Sequence, residues 1–542
     1  MVLPRNAVIA LVLGVLATLL IWWFPNREQA GDVPMMSERF NSVSFAPFRP
    51  GQSPLRDIFP TAAQVEEDVR LIAPRVRAIR TYASIEGNYE VAEIAGRHGL
   101  RVWKGAWLGR DLRQNDREIA RLIETANRFP DVVERVVVGN EVLLRRDLPV
   151  EELARQIDRV KAAVRQPVTY ADVWEFWAQY PELARHVDVV TIHILPYWED
   201  EPLGVDRAMA HVRDVFRQIR AMFPDKPIAI GEIGWPSMGR WREAAVPSRV
   251  EQAVFLRDFA RLAREEGFDY NLIEAFDQVW KYKNEGTVGA AWGLWTAERE
   301  PKFSLSGPVR ENPHWWAYAG AAFLLSGAFF VATSLAFPAA SRAALAALSV
   351  ALGNALAFAW CGTFPYAFDE HQAAAGTVNV VGQALLAALL LRRAGMVLSG
   401  GPVEPSRNGA EATANLRGLF LGRFRWRDWR AFAFEDLLFV FLWTAAVLQL
   451  LLLFDSRYRD FPFPTFAVPL VAVIARALLR DQPRGGGGWA EWLVGITLVL
   501  AALGSAWREG VHNTQALGWT ACAIGLALPL LFRILSPRPR RA

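Results

Sequence analysis

Two kinds of hydrophobic pattern divide the chain. From Asn41 to about residue 310, short β-branched runs alternate with segments whose apolar residues recur every three or four positions. Ser42–Ala46, Ala78–Tyr82, Arg101–Trp107, Val136–Asn140, Val168–Ala171, Val187–Ile194, Pro227–Glu232 and Leu272–Phe276 are the expected strands. Asp68–Ala73, Tyr89–His98, Asp116–Arg128, Val150–Val164, Val205–Met222 and Ser248–Glu266 are the clearest amphipathic helices between them, and His98-Gly99 and Glu266-Gly267 read as helix stops. Eight strands alternating with helices predict an α/β architecture, a (β/α)8 TIM barrel over residues 41–312. A doubly wound open sheet is the alternative, but it gives carboxylates on the fourth and seventh strands no reason to meet.

The second pattern is continuous apolarity. Ala7–Phe24 is long for the core of a signal peptide and lacks a small-x-small cleavage site beside it, so it reads as an uncleaved anchor. Residues 1–40 are then anchor and tether. After Pro313 come Trp315–Phe337, Ala343–Trp360, Ala373–Leu391, Leu437–Phe454, Thr465–Leu479, Trp492–Trp507 and Leu517–Leu535. Residues 313–542 therefore form an all-α multi-span membrane domain of about seven spans. The fifth is short and carries Arg476.

Charge orients the spans. About seventeen Lys and Arg fall in the N-terminus, at Arg342, in 392–436, in 476–488 and in the C-terminal tail, against three in the opposite connections. The first set, including the basic loop 392–436, is expected on the cytoplasmic side. That places the barrel on the periplasmic, extracytoplasmic face of a bacterial inner membrane. Leu416–Arg430 interleaves apolar and aromatic side chains with arginine, as an interfacial helix on anionic lipid does. Single-strand nucleic-acid binding shares that composition, but the flanking spans already account for it. Overall, 52% of residues are apolar, 21% are charged and the net charge is +4, which gives no reason to expect a nucleic-acid partner. Cys361 and Cys522 form no CxxC pair. Seven histidines show no metal-ligand spacing, so no metal is expected.

The candidate chemistry sits at two strand ends. Val136-Val137-Val138-Gly139-Asn140-Glu141-Val142 and Ile228-Ala229-Ile230-Gly231-Glu232-Ile233-Gly234-Trp235-Pro236-Ser237 each deliver a carboxylate where barrel enzymes keep their active sites. Retaining glycosidases use two carboxyl groups about 5 Å apart. Glu141 is assigned as acid/base and Glu232 as nucleophile, with the Asn140 amide placed to bond a sugar 2-hydroxyl.

Those two stretches resemble the signatures of glycoside hydrolase family 17, the family of plant and fungal β-1,3-glucanases and β-glucan transglycosylases. Glu274-Ala275-Phe276-Asp277-Gln278-Val279-Trp280-Lys281 and Gly289-Ala290-Ala291-Trp292-Gly293-Leu294 are similar to its last strand and following loop. Ile79-Arg80-Thr81-Tyr82 resembles its second strand, with a sugar-contacting Tyr82. The resemblance covers about half the chain and implies a retaining mechanism supported by Glu274 and Lys281, as an ion pair or on the sugar. Ile233 departs from it, since many members have Thr there. A family 17 barrel joined to many spans is similar to bacterial membrane proteins of cyclic β-glucan synthesis, which implies transfer of glucosyl chains, β-1,6 linkage or ring closure, and a membrane β-glucan synthase as partner.

Trp103, Trp107, Trp174, Trp177, Tyr197, Trp198, Trp235, Trp280, Trp292 and Trp295 lie at or just past strand ends, where rings can stack on glucan or fill the core. Tyr197, Trp235, Trp280 and Trp292 are the four expected in the site, and His193 is placed to line it. Neither Asp-x-Asp nor Gln-x-x-Arg-Trp occurs, nor a P-loop or dinucleotide fingerprint, so no nucleotide-sugar chemistry and no cofactor are expected. Few ionisable groups in the spans argue against a proton-coupled pump. Three functions follow: a membrane-bound transglycosylase, a hydrolytic endo-β-1,3-glucanase, and a non-catalytic glucan-binding or export subunit.

Overall fold

In a computed structural model, which describes residues 4–29, 39–403, 406–423, 434–481 and 488–535, eight strands pair in parallel, each with the next and the last with the first. They are β1 (Phe40–Ser44), β2 (Val76–Arg80), β3 (Arg101–Ala106), β4 (Val133–Asn140), β5 (Val168–Val173), β6 (Val189–His193), β7 (Ile228–Ile233) and β8 (Asp269–Leu272). The expected closed (β/α)8 barrel is present. Its strands are buried almost throughout because helices cover one face and the barrel interior takes the other. Val43, Ile79, Val102, Val136, Val190 and Ile230 pack under the helices. Ala78, Trp103, Val137, Ala171, Val189 and Ala229 form a separate inner cluster, one large ring among small side chains. The Arg135 guanidinium lies 4.0 Å from that ring. Nearer the carboxyl ends the interior turns polar, with Ser44, Arg80, Asn140, His193, Glu232 and Asn271 all buried.

Two boundaries differ from the apolar pattern. The helix Ala62–Ile72 starts earlier than expected, because Thr61 and Gln64 close a capping box ahead of the first apolar turn. The last strand is Asp269–Leu272, not Leu272–Phe276. Beyond Leu272 the backbone pairs with a later segment, Leu294 N–H to Glu274 O at 2.9 Å and Trp295 N–H to Ala275 O at 3.0 Å. The expected stops hold, with Gly99 and Gly267 both left-handed (φ 70° and 68°).

The chain parts into two compact units, Glu28–Val309 and the combination of Met1–Arg27 with Arg310–Ala542. The first unit is the barrel, and an antiparallel bridge between Gln29 and Val309 ties its two ends. The second is helical. Each of the eight expected apolar segments is a helix: Arg5–Trp23, Trp315–Ala336, Arg342–Cys361, Glu370–Leu398, Phe434–Phe454, Phe463–Leu478, Trp489–Glu509 and Thr514–Leu535. Among the described residues seven helices are long and apolar enough to cross a membrane, and Phe463–Leu478, at 16 residues, falls short. Helix Gly409–Phe420 covers the start of the basic aromatic stretch, with Leu416 buried and Arg417 exposed. Phe424, Arg425, Trp426, Arg427, Trp429 and Arg430 lie outside the described residues.

Polar side chains in this unit mend the backbone or join helices. Asn354 accepts from Trp22 Nε1 at 3.0 Å and donates to Thr18 Oγ1 at 2.8 Å, tying the first helix to Arg342–Cys361. The short helix begins with prolines at 464 and 469, and there fully buried Gln383 supplies both partners. Its Nε2 donates to Pro464 O at 3.0 Å and its Oε1 accepts from Val468 N at 3.2 Å. In apolar surroundings a freed backbone group is tolerated only when something satisfies it. Arg476, in the last turn of that helix, pairs with Glu435 at 3.2 Å and Asp481 at 3.4 Å. Gln383→Leu strands one donor and one acceptor, each at a cost of about 1–3 kcal/mol. The expected outcome is a lower thermal unfolding midpoint for the detergent-solubilised protein; an unchanged midpoint would mean that the helix recloses on itself.

Candidate active site

Local backbone irregularity aims the side chains at the barrel mouth. Register shifts interrupt the ladders between Val137 and Asn140 on β4, Ile192 and His193 on β6, and Ile230 and Ile233 on β7. Such irregularities re-aim the residues beside them. Gly139 sits at φ 89°, and a Cβ there would come within 2.8 Å of Val142. Glu141 itself is left-handed at φ 50°, an uncommon conformation for a residue with a side chain. Its amide is held by Ala171 O at 2.8 Å.

The two carboxylates meet. One oxygen each of Glu141 and Glu232, with one ring nitrogen of His193, all lie within 4.8 Å of one another. Glu232 is 5% exposed, while the Glu141 side chain, nearer solvent, is 22% exposed. Glu232 Oε1 accepts from Tyr82 Oη at 2.8 Å and from Arg80 Nη1 at 3.3 Å. Tyr82 is steadied from behind by Ser44 Oγ at 2.8 Å, which accepts in turn from Asn271 Nδ2 at 2.7 Å. Burial holds the Tyr82 hydroxyl well above its ordinary pKa, so it remains a donor.

Arg80 links the strands. Its Nη2 donates to Asn140 Oδ1 at 2.6 Å, and its Nη1 to Gly231 O at 2.7 Å. With its oxygen taken, Asn140 offers its NH2 end to the mouth. His193 Nδ1 lies 2.9 Å from Glu141 Oε1, and its Nε2 lies 3.7 Å from Glu232 Oε1. Burial pushes the Glu141 carboxyl up, but the hydrogen bond from His193, with Arg145 and Arg80 nearby, outweighs it and holds that carboxyl below its usual value. Behind Glu141, burial pushes Asp172 up to about 6. The sequence shows no metal spacing, yet folding assembles Glu141, His193 and Glu232 into a set that could hold an ion. Arg80 Nη1 stands 3.4 Å from His193 Nε2 and 3.3 Å from Glu232 Oε1, so a positive charge already occupies the place a cation would take.

Glu274 and Lys281 form a buried pair, Nζ to Oε1 at 2.9 Å and to Oε2 at 3.0 Å. Burial pushes the Glu274 carboxyl up to about 7. Trp280 is half-buried beside them, held by Gln278 Oε1 at 2.8 Å. Trp292 is nearly buried and stacks on half-buried Trp198 with centroids 6.3 Å apart. Tyr197 and Trp235 do not present a face to the mouth. Both are 0% exposed, with Tyr197 Oη on Arg240 O at 2.6 Å and Trp235 Nε1 on Val246 O at 2.8 Å. They brace the loops after β6 and β7, because those loops fold back over their rings. Of the other rings, Trp103, Trp177 and Trp295 are buried, and Trp107 is 40% exposed beneath Arg145.

Residues 42–293 match the family model described as the BtgE/BtgC glycoside hydrolase domain. The barrel is similar to glycoside hydrolase domains of this type. The glucan 1,3-beta-glucosidase of Schizosaccharomyces pombe is 26% identical over 256 residues, 44% of this chain and 79% of its own. The enzyme of the same description from Arthroderma benhamiae is 26% identical over 270 residues, 46% of this chain and 86% of its own. The crystal structure of a glycoside hydrolase family 17 beta-1,3-glucanosyltransferase from Rhizomucor miehei is 25% identical, covers 49% of this chain and 98% of its own, and gives a TM-score of 0.44. The matched stretch of the family model ends at residue 293, so the helices from Trp315 onward lie outside it.

The main residue that sequence reasoning missed in this domain is Arg80. It stands in a quoted motif, and its signal was available: an arginine two residues after Ala78 in an apolar strand faces the barrel interior and must find partners there.

Proposed function

We propose that the barrel is a retaining β-glucan enzyme in which Glu232 is the nucleophile and Glu141 the acid/base. The carrying observation is the approach of the two carboxylate oxygens to within 4.8 Å. Inverting pairs stand about 6.5–9.5 Å apart to admit a water. Glu232 Oε1 is occupied by Tyr82 and Arg80, which leaves Oε2 to attack the anomeric carbon. Glu141 gives its proton to the departing oxygen as the glycosidic bond breaks, and an ester to Glu232 forms. An acceptor hydroxyl then returns a proton to Glu141 while its oxygen takes the sugar and the ester breaks. Asn140 meets the 2-hydroxyl, and Trp280, Trp292, Glu274 and Lys281 line the approach.

The substrate class is β-1,3-glucan, in keeping with the names of the relatives. The acceptor is another sugar, so that the enzyme forms β-1,6 branches or closes rings. Support comes from the joining of this domain to a helical unit, the arrangement of bacterial proteins that build such glucans. Hydrolysis alone is the second reading, favoured by the relatives' description as glucosidases. The helical unit lies in a bacterial inner membrane with the barrel outside the cytoplasm. The short helix crosses beside its neighbours: its start touches Gly362, and Arg476 near its end shares Ser406 with Arg393. Trp23, Trp316, Trp360 and Trp507 are exposed at one set of helix ends, and Trp489 and Trp492 at the opposite end of the helix Trp489–Glu509, as interfacial belts are. A membrane β-glucan synthase is the partner that would supply donor chains.

With laminari-oligosaccharides, products longer than the substrate are expected; exclusively shorter ones would leave the hydrolytic reading. Glu232→Gln is expected to abolish turnover. Glu141→Ala should keep activity on activated aryl glucosides and recover with azide; azide rescue of the Glu232 variant with retained configuration would reverse the assignment. In spheroplasts an impermeant thiol reagent should label Glu298→Cys and spare Leu421→Cys, and the opposite pattern would invert the topology.

A further inference from the structure

His193 is fully enclosed and sets one ring nitrogen toward each carboxylate, Nδ1 2.9 Å from Glu141 Oε1 and Nε2 3.7 Å from Glu232 Oε1. Its place is built. β6 slips register between Ile192 and His193, which sets His193 opposite Glu232 on β7. Gly231 leaves room for the ring, since a Cβ there would stand 3.1 Å from both Cδ2 and Nε2. The charged groups around it are Arg80 from β2, Glu141 from the end of β4, Asp172 from β5 and Glu232 from β7, and Glu141 is faced as well by Arg145 and by Glu285.

The neighbours select a tautomer. Arg80 can only donate, and its Nη1 points at Nε2 from 3.4 Å, so in the neutral ring Nε2 accepts and Nδ1 carries the proton toward Glu141. We propose that His193 is the positioning residue of the acid/base, an imidazole that grips the Glu141 carboxylate through Nδ1–H and sets the pH window in which Glu141 passes protons to and from sugar oxygens. This rests on the retaining reading above. The first half-reaction needs Glu141 protonated, and the second needs it ionised. A donor fixed on Glu141 favours the ionised form, which readies it for the acceptor and limits the first step at high pH. When Glu232 becomes an ester its negative charge is gone, and Arg80 alone then faces Nε2. The Nδ1–H then stays on Glu141 while the acceptor approaches.

The test is the pH profile of kcat/KM for the full-length protein in detergent, with His193→Leu and His193→Ala, which carry no donor, beside the unmutated chain. On laminari-oligosaccharides, whose leaving group needs a proton, the descending limb should move up by about one pH unit or more in both variants. On an aryl glucoside with a good leaving group that limb should stay put. A limb unmoved on the oligosaccharides overturns the proposal while leaving the retaining reading intact. An unmutated chain that turns over neither substrate sinks both. Independently of any variant, the imidazole 15N spectrum of the unmutated protein should show the neutral Nδ1–H form, and an Nε2–H form would overturn the assignment.

Discussion

The mouth of the barrel depends on one buried cation finding enough acceptors. Arg80 is 1% exposed, and its guanidinium reaches β4 at Asn140, β7 at Gly231 and Glu232, and β6 at His193. A buried charge is tolerable only when it is paired and hydrogen-bonded, and several strand ends must hold their places for that to be so. The same contacts fix the Asn140 amide, one oxygen of Glu232 and the acceptor nitrogen of His193. Site geometry and barrel closure are therefore one problem with one solution.

The helical unit obeys a related rule in different surroundings. Where water is absent, polar groups must be satisfied within the protein, and Gln383, Asn354 and Gln449 do this by bonding to backbone or to each other's helices. The arginine that makes the short span look doubtful, Arg476, is neutralised by Glu435 and Asp481. These polar side chains serve packing, in line with a unit that holds an enzyme rather than one that pumps ions.

Strand periodicity and strand-end acids made the barrel and both carboxylates legible before any coordinates. What was not legible is direction across the barrel. Arg80 and His193 stand in plain view in the sequence, but only closure of the sheet shows that they meet. Rings at strand ends are equally ambiguous: Trp235 lies three residues past Glu232 and looks like a sugar platform, yet its loop folds back to give it Val246 O. The end of β8 differs because an apolar run does not reveal which backbone it pairs with, and here residues 274 and 275 take 294 and 295 as partners while Ile273 and Ala275 N–H still reach Ile233 O and Ser44 O on the neighbouring strands. The early start of the helix at Ala62 was written in Thr61 and Gln64, a cap easily passed over when only apolar spacing is followed.

The bond between Trp22 and Asn354 joins residues 332 positions apart. Ribosomes add about 5–20 residues each second, so the first helix waits roughly a quarter of a minute to a minute for its partner to be made. During that time the whole catalytic domain is synthesised between them. Assembly of the bundle is thus a late event, and a stalled or misfolded domain would leave the leading helix without its partner, a form that quality-control proteases could recognise.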